Sequence, residues 1–297
     1  MQLIETYRAY WALTPEQRRL LKEKRIAGER TPAQWIALLG GLAAYDRQAE
    51  AVRTWATVAM IVAPMLVFFG ALFGGIALGY EAQAWLVALG LALTTAAPLV
   101  ALFLATRSTD LANQLREVAL PLVSLIGEDL GPHATLQLGL DLRGGTAKDK
   151  LSKTLPARKE RGRSIRERIF LDPWMTAAVV LRDGARLRWR ITDQVHELRI
   201  SRRNARGKTK SKTKFRVDSR VLAALDLPAA GYRLRPNPAD PTPQAPALEK
   251  WIKLRGQCRT RQKGTQPQSA TLSEALKTIT DLYARAEPVR IKEPSHV

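Results

Sequence analysis

Two long apolar runs interrupt an otherwise mixed chain. Residues 54–80 (TWATVAMIVAPMLVFFGALFGGIALGY) hold 27 positions without a charge, and residues 84–106 (AWLVALGLALTTAAPLVALFLAT) hold 23 more. As a helix rising 1.5 Å per residue the first is roughly 40 Å long, against a hydrocarbon core of about 30 Å, and the second also exceeds the roughly 20 residues that a crossing needs. Both are expected to span a bilayer. The alternative, a buried hairpin in a soluble core, needs a large protein shell around the two runs. The first run also begins too far along the chain for a cleaved signal peptide. Glu81, Ala82 and Gln83 alone separate the runs, which predicts a tight helical hairpin.

Flanking residues set its orientation. Arg47 and Arg53 precede the first run, Arg107 and Arg116 follow the second, and the turn carries no Lys or Arg. The positive-inside rule then places both termini in the cytoplasm, with two crossings of a plasma (inner) membrane. Tyr80 and Trp85 at the turn, and Trp55 at the far end, suit the headgroup layers. Gly70, Gly74, Gly75 and Gly79 form overlapping small-xxx-small pairs, which predict close helix packing against the second run or between chains as a homo-oligomer. Neither span contains an ionisable side chain, which argues against a proton relay.

Before the hairpin, Thr14-Pro15-Glu16-Gln17 and Thr31-Pro32-Ala33-Gln34 each supply a capping Thr, a Pro at the first helical position and a Gln that reaches back. They predict a helix over 13–25 and a second, with Trp35, Ile36, Leu38, Leu39 and Leu42 at helical spacing, that feeds the first crossing. After the hairpin, Leu111, Leu115, Val118 and Leu122 make a helical stripe, and Leu136, Leu138, Leu140 and Leu142 alternate as in a half-buried strand. Residues 143–166 show no apolar period and read as a mobile linker or basic loop. Ala177, Val179 and Leu181 before Asp183-Gly184, with Leu187, Trp189 and Ile191 after it, predict a β-hairpin whose second strand runs on across a bulge to Ile200. NPADPTPQAP at 237–246 is a Pro-rich spacer, and the capping box Thr271-Leu272-Ser273-Glu274 opens a last helix over 272–286.

The pattern implies an α+β membrane protein: a two-helix transmembrane hairpin, N-terminal cytoplasmic helices, and a basic C-terminal α+β domain containing an antiparallel β-hairpin. The expected divisions are 1–53 (N-terminal helices), 54–106 (hairpin), 107–131 (juxtamembrane connector helix) and 132–297 (basic domain). Charge sharpens this. Of the net +20, residues 1–150 carry 14 basic against 13 acidic side chains, and residues 151–297 carry 33 against 14. The abundance of Ala, Leu and Arg suits a GC-rich bacterium.

The densest stretch places Arg202, Arg203, Arg206, Lys208, Lys210, Lys212 and Lys214 within 201–214 with no acid among them. Lys208 to Lys214 alternate with Thr and Ser, so an extended strand displays the four ammonium groups on one face. Such a row serves as a contact for phosphates of anionic lipid headgroups or of nucleic acid, or it keeps an edge strand from pairing with another chain. Tethering favours lipid, and nucleic acid is disfavoured by the lack of interleaved aromatics.

Catalytic chemistry finds little footing. His133, His196 and His296 lie far apart; His196-Glu197 lacks the second His of a zinc-protease motif, since position 200 is Ile. Gly207-Lys208-Thr209 lacks the leading Gly of a phosphate loop, with Arg202 in its place. Lone Cys258 excludes a disulfide framework and a multi-cysteine zinc site, and it has no identifiable base. Asp141, Asp172, Asp183 and Asp193 can form a carboxylate pair only through the fold. No catalytic, cofactor-binding or metal-ligating residue is assigned. The expectation is a membrane protein with a non-catalytic cytoplasmic binding, adaptor or sensing domain that contacts anionic lipid or another polyanion. The alternatives are an effector whose Gly-rich helices oligomerise into a pore, and a membrane-anchored enzyme.

Overall fold

The computed structural model describes residues 2–131, 133–160, 162–203, 208–235 and 250–289. They form an α+β chain with an antiparallel sheet, divided into two compact units: Met1–Glu23 with Leu38–Leu111, and Lys24–Ala37 with Ala112–Val297.

In the first unit, α1 (Gln2–Ala12) and α2 (Pro15–Glu23) meet at Thr14. The Thr14 hydroxyl accepts from Gln17 N at 3.2 Å and Gln17 Oε1 from Thr14 N at 2.9 Å, the reciprocal cap expected from the sequence. Thr31 and Gln34 repeat the device at the start of α3 (Pro32–Ala77), which belongs to the first unit from Leu38 onward. This helix and α4 (Glu81–Ser108) are long and apolar enough to cross a membrane, with mean hydropathy of 2.3 and 2.2 in their most apolar stretches. Those stretches are only 11% and 6% buried, so Ile61, Leu66, Phe73, Leu86 and Leu93 point outward.

The break between the helices lies at Leu78–Tyr80, earlier than the charge at Glu81 suggested, because a glycine makes it. Gly79 adopts φ +82°, Tyr80 N donates to Gly75 O at 2.9 Å and Gly79 N to Ile76 O at 3.0 Å, closing α3 with a left-handed cap. Beside the turn, Leu72, Ala84 and Ala88 are buried together. At the opposite end, buried Asp46 accepts from Leu111 N at 3.3 Å, and Arg53 reaches Asp46 at 3.5 Å and Asp110 at 2.8 Å. A polar clasp thus holds the ends of the two apolar helices together.

The second unit contains β1 (Arg25–Arg30), β2 (Leu136–Asp141), β3 (Leu151–Glu160), β4 (Arg163–Val180), β5 (Arg186–Arg203), β6 (Thr209–Pro228), β7 (Tyr232–Leu234), β8 (Trp251–Gly264) and β9 (Ala286–Pro288). The main sheet runs β1-β2-β4-β5-β6-β8, antiparallel throughout, with β3 added along the outer half of β4; β7 and β9 pair separately. Its inner face buries Leu138, Ala177, Trp189 and Ala223. On that face α6 (Leu272–Tyr283) packs on β6 and β8, where Gly256 leaves room for Leu282, and α5 (Leu120–Glu128) buries Leu122 and Val123.

Several elements differ from the expectation. Residues 25–30 form a strand although the pattern around them is helical; their partner, β2, lies more than a hundred residues away. The supposed linker at 143–166 contains β3 and the start of β4, exposed strands that bury too little to leave an apolar period. The connector at 107–131 is no single helix: α4 ends at Ser108, and a π-helical turn at Leu115–Ala119 leads into α5. The bulge falls in β4 between Asp172 and Met175, while β5 is unbroken. The last helix stops at Tyr283, with its Thr271–Glu274 capping box formed. The spacer 237–246 lies outside the described residues.

A cationic arm as candidate anion-binding face

Strands β4, β5 and β6, of 18, 18 and 20 residues, are the longest of the sheet. At about 3.3 Å per residue, the 18 residues of β5 extend roughly 60 Å. Only part of that length has helices behind it. β8 stops pairing with β6 at Phe215↔Gly264, so Thr209–Lys214 pair with β5 alone and form a true edge. β3, β4, β5 and β6 together make an arm over 151–160, 162–170, 195–203 and 208–216 whose side chains are mostly exposed on both faces. Its described residues carry 14 Lys and Arg against three acids, Glu160, Glu167 and Glu197.

The acids near the root of the arm are already engaged. His196, buried on the outer face, holds Glu167 at 2.7 Å and Asp218 at 3.5 Å; Arg261 takes Asp218 at 2.5 Å, and Arg168 takes Glu197 at 2.5 Å. Further out, Arg163, Arg166, Arg199, Arg202, Lys210, Lys212 and Lys214 form no ion pair with a described residue.

Register decides which cations meet. Arg202 lies directly between Arg163 on β4 and Lys210 on β6; Ile200 lies between Ile165 and Lys212; Leu198 lies between Glu167 and Lys214. The outer face thus combines Lys210, Lys212 and Lys214 with Arg163, Arg202 and a short apolar patch. Lys208 directly precedes β6, and Arg203 sits on the opposite face, opposite Thr209. Arg206 lies outside the described residues. The structure therefore gathers most of the row read from the sequence and adds Arg158, Arg163, Arg166 and Arg199, which the sequence had dispersed between a loop and a hairpin.

Of the glycines expected in helix packing, Gly75 faces α4, where a Cβ would stand 2.7 Å from that of Ala84. Gly70 and Gly74 face open space, and Gly79 forms the turn.

Two other polar features share the sheet. On the outer face, nearer β1, an open groove of about 930 Å³ is floored by Ala27, Gly139, Ala178 and Ala224 and flanked by Arg188, Arg190 and Arg255. Asp226 binds Arg188 at 2.6 Å and Arg255 at 3.0 Å, so a single carboxylate is shared between two of those cations. On the inner face, Asp172 and Asp193 are direct cross-strand partners, both buried. Lys150 reaches Asp172 at 2.6 Å and Asp141 at 3.2 Å, and Gln114 donates to Asp193 at 3.4 Å. Burial pushes Asp193 up to about 6, against the pull of the nearby Ser269 and Ser219 hydroxyls, and raises Asp172 against its bond from Lys150. Among the described residues no group of His, Cys, Asp and Glu side chains is arranged to hold a metal ion. No family model, curated protein or solved structure matches this chain.

Proposed function

We propose that this chain is an integral membrane protein of the plasma (inner) membrane whose second unit works at the cytoplasmic face as a non-catalytic binding, adaptor or sensing domain, with the arm contacting anionic lipid. The observation that carries this reading is the pairing, within one chain, of two outward-facing apolar helices with an exposed arm bearing a large excess of uncompensated cations. Apolar side chains such as Leu66, Phe73, Leu86 and Leu93, exposed to water, would each forfeit roughly 1.5–3 kcal/mol of burial, so a hydrocarbon solvent is the environment that suits them. Arg53 and Arg107 at one end, with no cation at the turn, support a topology with both termini inside. Near an anionic leaflet each Lys or Arg contributes about 1 kcal/mol, so Lys208, Lys210, Lys212 and Lys214 with Arg202 suffice for stable contact. Leu198 and Ile200, partly exposed between the cations, suit a headgroup boundary, and among the described residues the outer face of the arm carries no Phe, Tyr or Trp for base stacking.

The test uses the full chain in proteoliposomes. With phosphatidylserine present, Lys208, Lys210, Lys212 and Lys214 should react severalfold more slowly with an amine-modifying reagent than in purely zwitterionic vesicles, and high salt should restore the rate. Equal labelling in both membranes would refute lipid contact.

The Gly70–Gly74 face favours a second reading, since it remains open after the hairpin closes. Self-association through it, and from there a pore, is the alternative proposal.

A further inference from the structure

Cross-strand neighbours in an antiparallel sheet have Cβ atoms about 5 Å apart, and like charges placed directly opposite destabilise the pair. The arm does this repeatedly. Arg163, Arg202 and Lys210 stand side by side on three consecutive strands of the outer face, and Arg166 faces Arg199 on the inner one. Glu160 ends the first row on β3, opposite Arg163, but forms no ion pair with it. A row of this kind weakens the arm in water unless something negative sits over it.

From these observations we infer that Arg163, Arg202 and Lys210 form a subsite for a terminal phosphate group, which the arm takes from a phosphomonoester headgroup in the membrane. The inference rests on the lipid reading above and narrows it. The three side chains are rooted within about 10 Å across the strands, so their flexible ends converge on one anion. A phosphodiester carries a single negative charge, whereas a phosphomonoester carries about −1.5 to −2 and three strong acceptor oxygens, enough for two guanidinium groups and an ammonium together. Guanidinium groups match that geometry in pairs, and Arg163 and Arg202 are the two on adjacent strands. Lys214 lies two positions beyond Lys212 on the same face, but its neighbours across the strands are Leu198 and Glu167. It adds charge without adding to the triad. The arm accordingly distinguishes headgroups by their phosphate chemistry as well as by their charge, and its outer strands gain order when the group is bound.

Hydrogen exchange of the full chain in lipid nanodiscs tests this. Three compositions are compared: phosphatidylcholine alone, and phosphatidylcholine with either phosphatidylserine or phosphatidic acid, the last two matched in zeta potential. Amides at 163–166, 199–202 and 209–212 should exchange about tenfold more slowly with phosphatidic acid than with phosphatidylserine. Arg202→Gln should erase that difference, whereas Lys214→Gln, which removes the same charge, should preserve it. Equal protection by the two anionic lipids, or equal loss in both variants, would overturn the subsite and leave the lipid reading standing. No protection by either lipid would overturn both. Protection by inorganic phosphate alone, or by single-stranded RNA on neutral nanodiscs without any effect of phosphatidic acid, would move the site to a soluble ligand and overturn the membrane source.

Discussion

Asp193 shows how much a single residue depends on its register. A carboxyl whose pKa is higher in the folded chain holds its proton more tightly there, so its favourable contribution is complete below about pH 4 and is lost as pH rises through the folded value. With Asp193 raised to about 6, the loss amounts to about 3 kcal/mol by neutral pH. Asp172 is also raised and adds to it with the same sign, while Lys150 opposes both. Asp193→Asn should therefore stabilise the full chain in detergent by about 2–3 kcal/mol at pH 7.5 and by almost nothing near pH 4, read as the shift in thermal midpoint against the parent. A shift independent of pH would refute the assignment. Both carboxylates were visible in the sequence, but their meeting was not. Counting from the Asp183-Gly184 turn, the pairing Met175↔Ile191 would continue to put Asp172 opposite Gln194 on the outer face; the extra residue between Asp172 and Met175 puts it opposite Asp193 on the inner one. Arg163 meets Arg202 rather than Arg203 through the same one-residue shift.

Among the elements, the helical hairpin separates glycines that the sequence could only group. Spacing at 70, 74, 75 and 79 announces close packing, but which residue touches what depends on where the turn falls, and the turn is set by the backbone at Gly79. Gly75→Leu should force α3 and α4 apart beside Ala84, and Gly79→Ala should cost about 1–2 kcal/mol for a left-handed conformation. Both changes lower the thermal midpoint in detergent. Gly70→Leu with Gly74→Leu meets open space, so the midpoint should hold; loss of an oligomer in that variant, followed by cross-linking in membranes, would support association between chains, and an unchanged cross-linking pattern would remove it. Capping signals were the most legible parts of the chain, because each is a local exchange between residues three apart: Thr14 with Gln17, Thr31 with Gln34, and Thr271 with Glu274 all form. Strands β1 and β3 were the least legible. Each lies at an edge of the sheet, exposes most of its side chains, and owes its conformation to a distant partner.

For the molecule as a whole, the division of charge read from the sequence reappears as a division of chemistry: the exposed apolar helices belong to the first unit and the uncompensated cations to the second. Because the two apolar runs are flanked by cations only at the end away from their turn, the proposal commits to a sidedness that a single native thiol reports. Cys258 lies on β8 in the second unit, partly exposed, and the chain has no other cysteine. In intact spheroplasts a membrane-impermeant maleimide should leave Cys258 unmodified; after the membrane is opened it should react, and the protein should remain in the sedimented fraction through high salt until detergent is added. A soluble protein would appear in the supernatant without detergent, and the inverted orientation would label before lysis. A thiol that stayed unreactive in detergent-solubilised protein would point to local shielding, so that control is run beside the others. Labelling only after opening, in material that sediments, is the one combination that fits two crossings with the cationic arm on the cytoplasmic side, where the anionic leaflet lies within its reach.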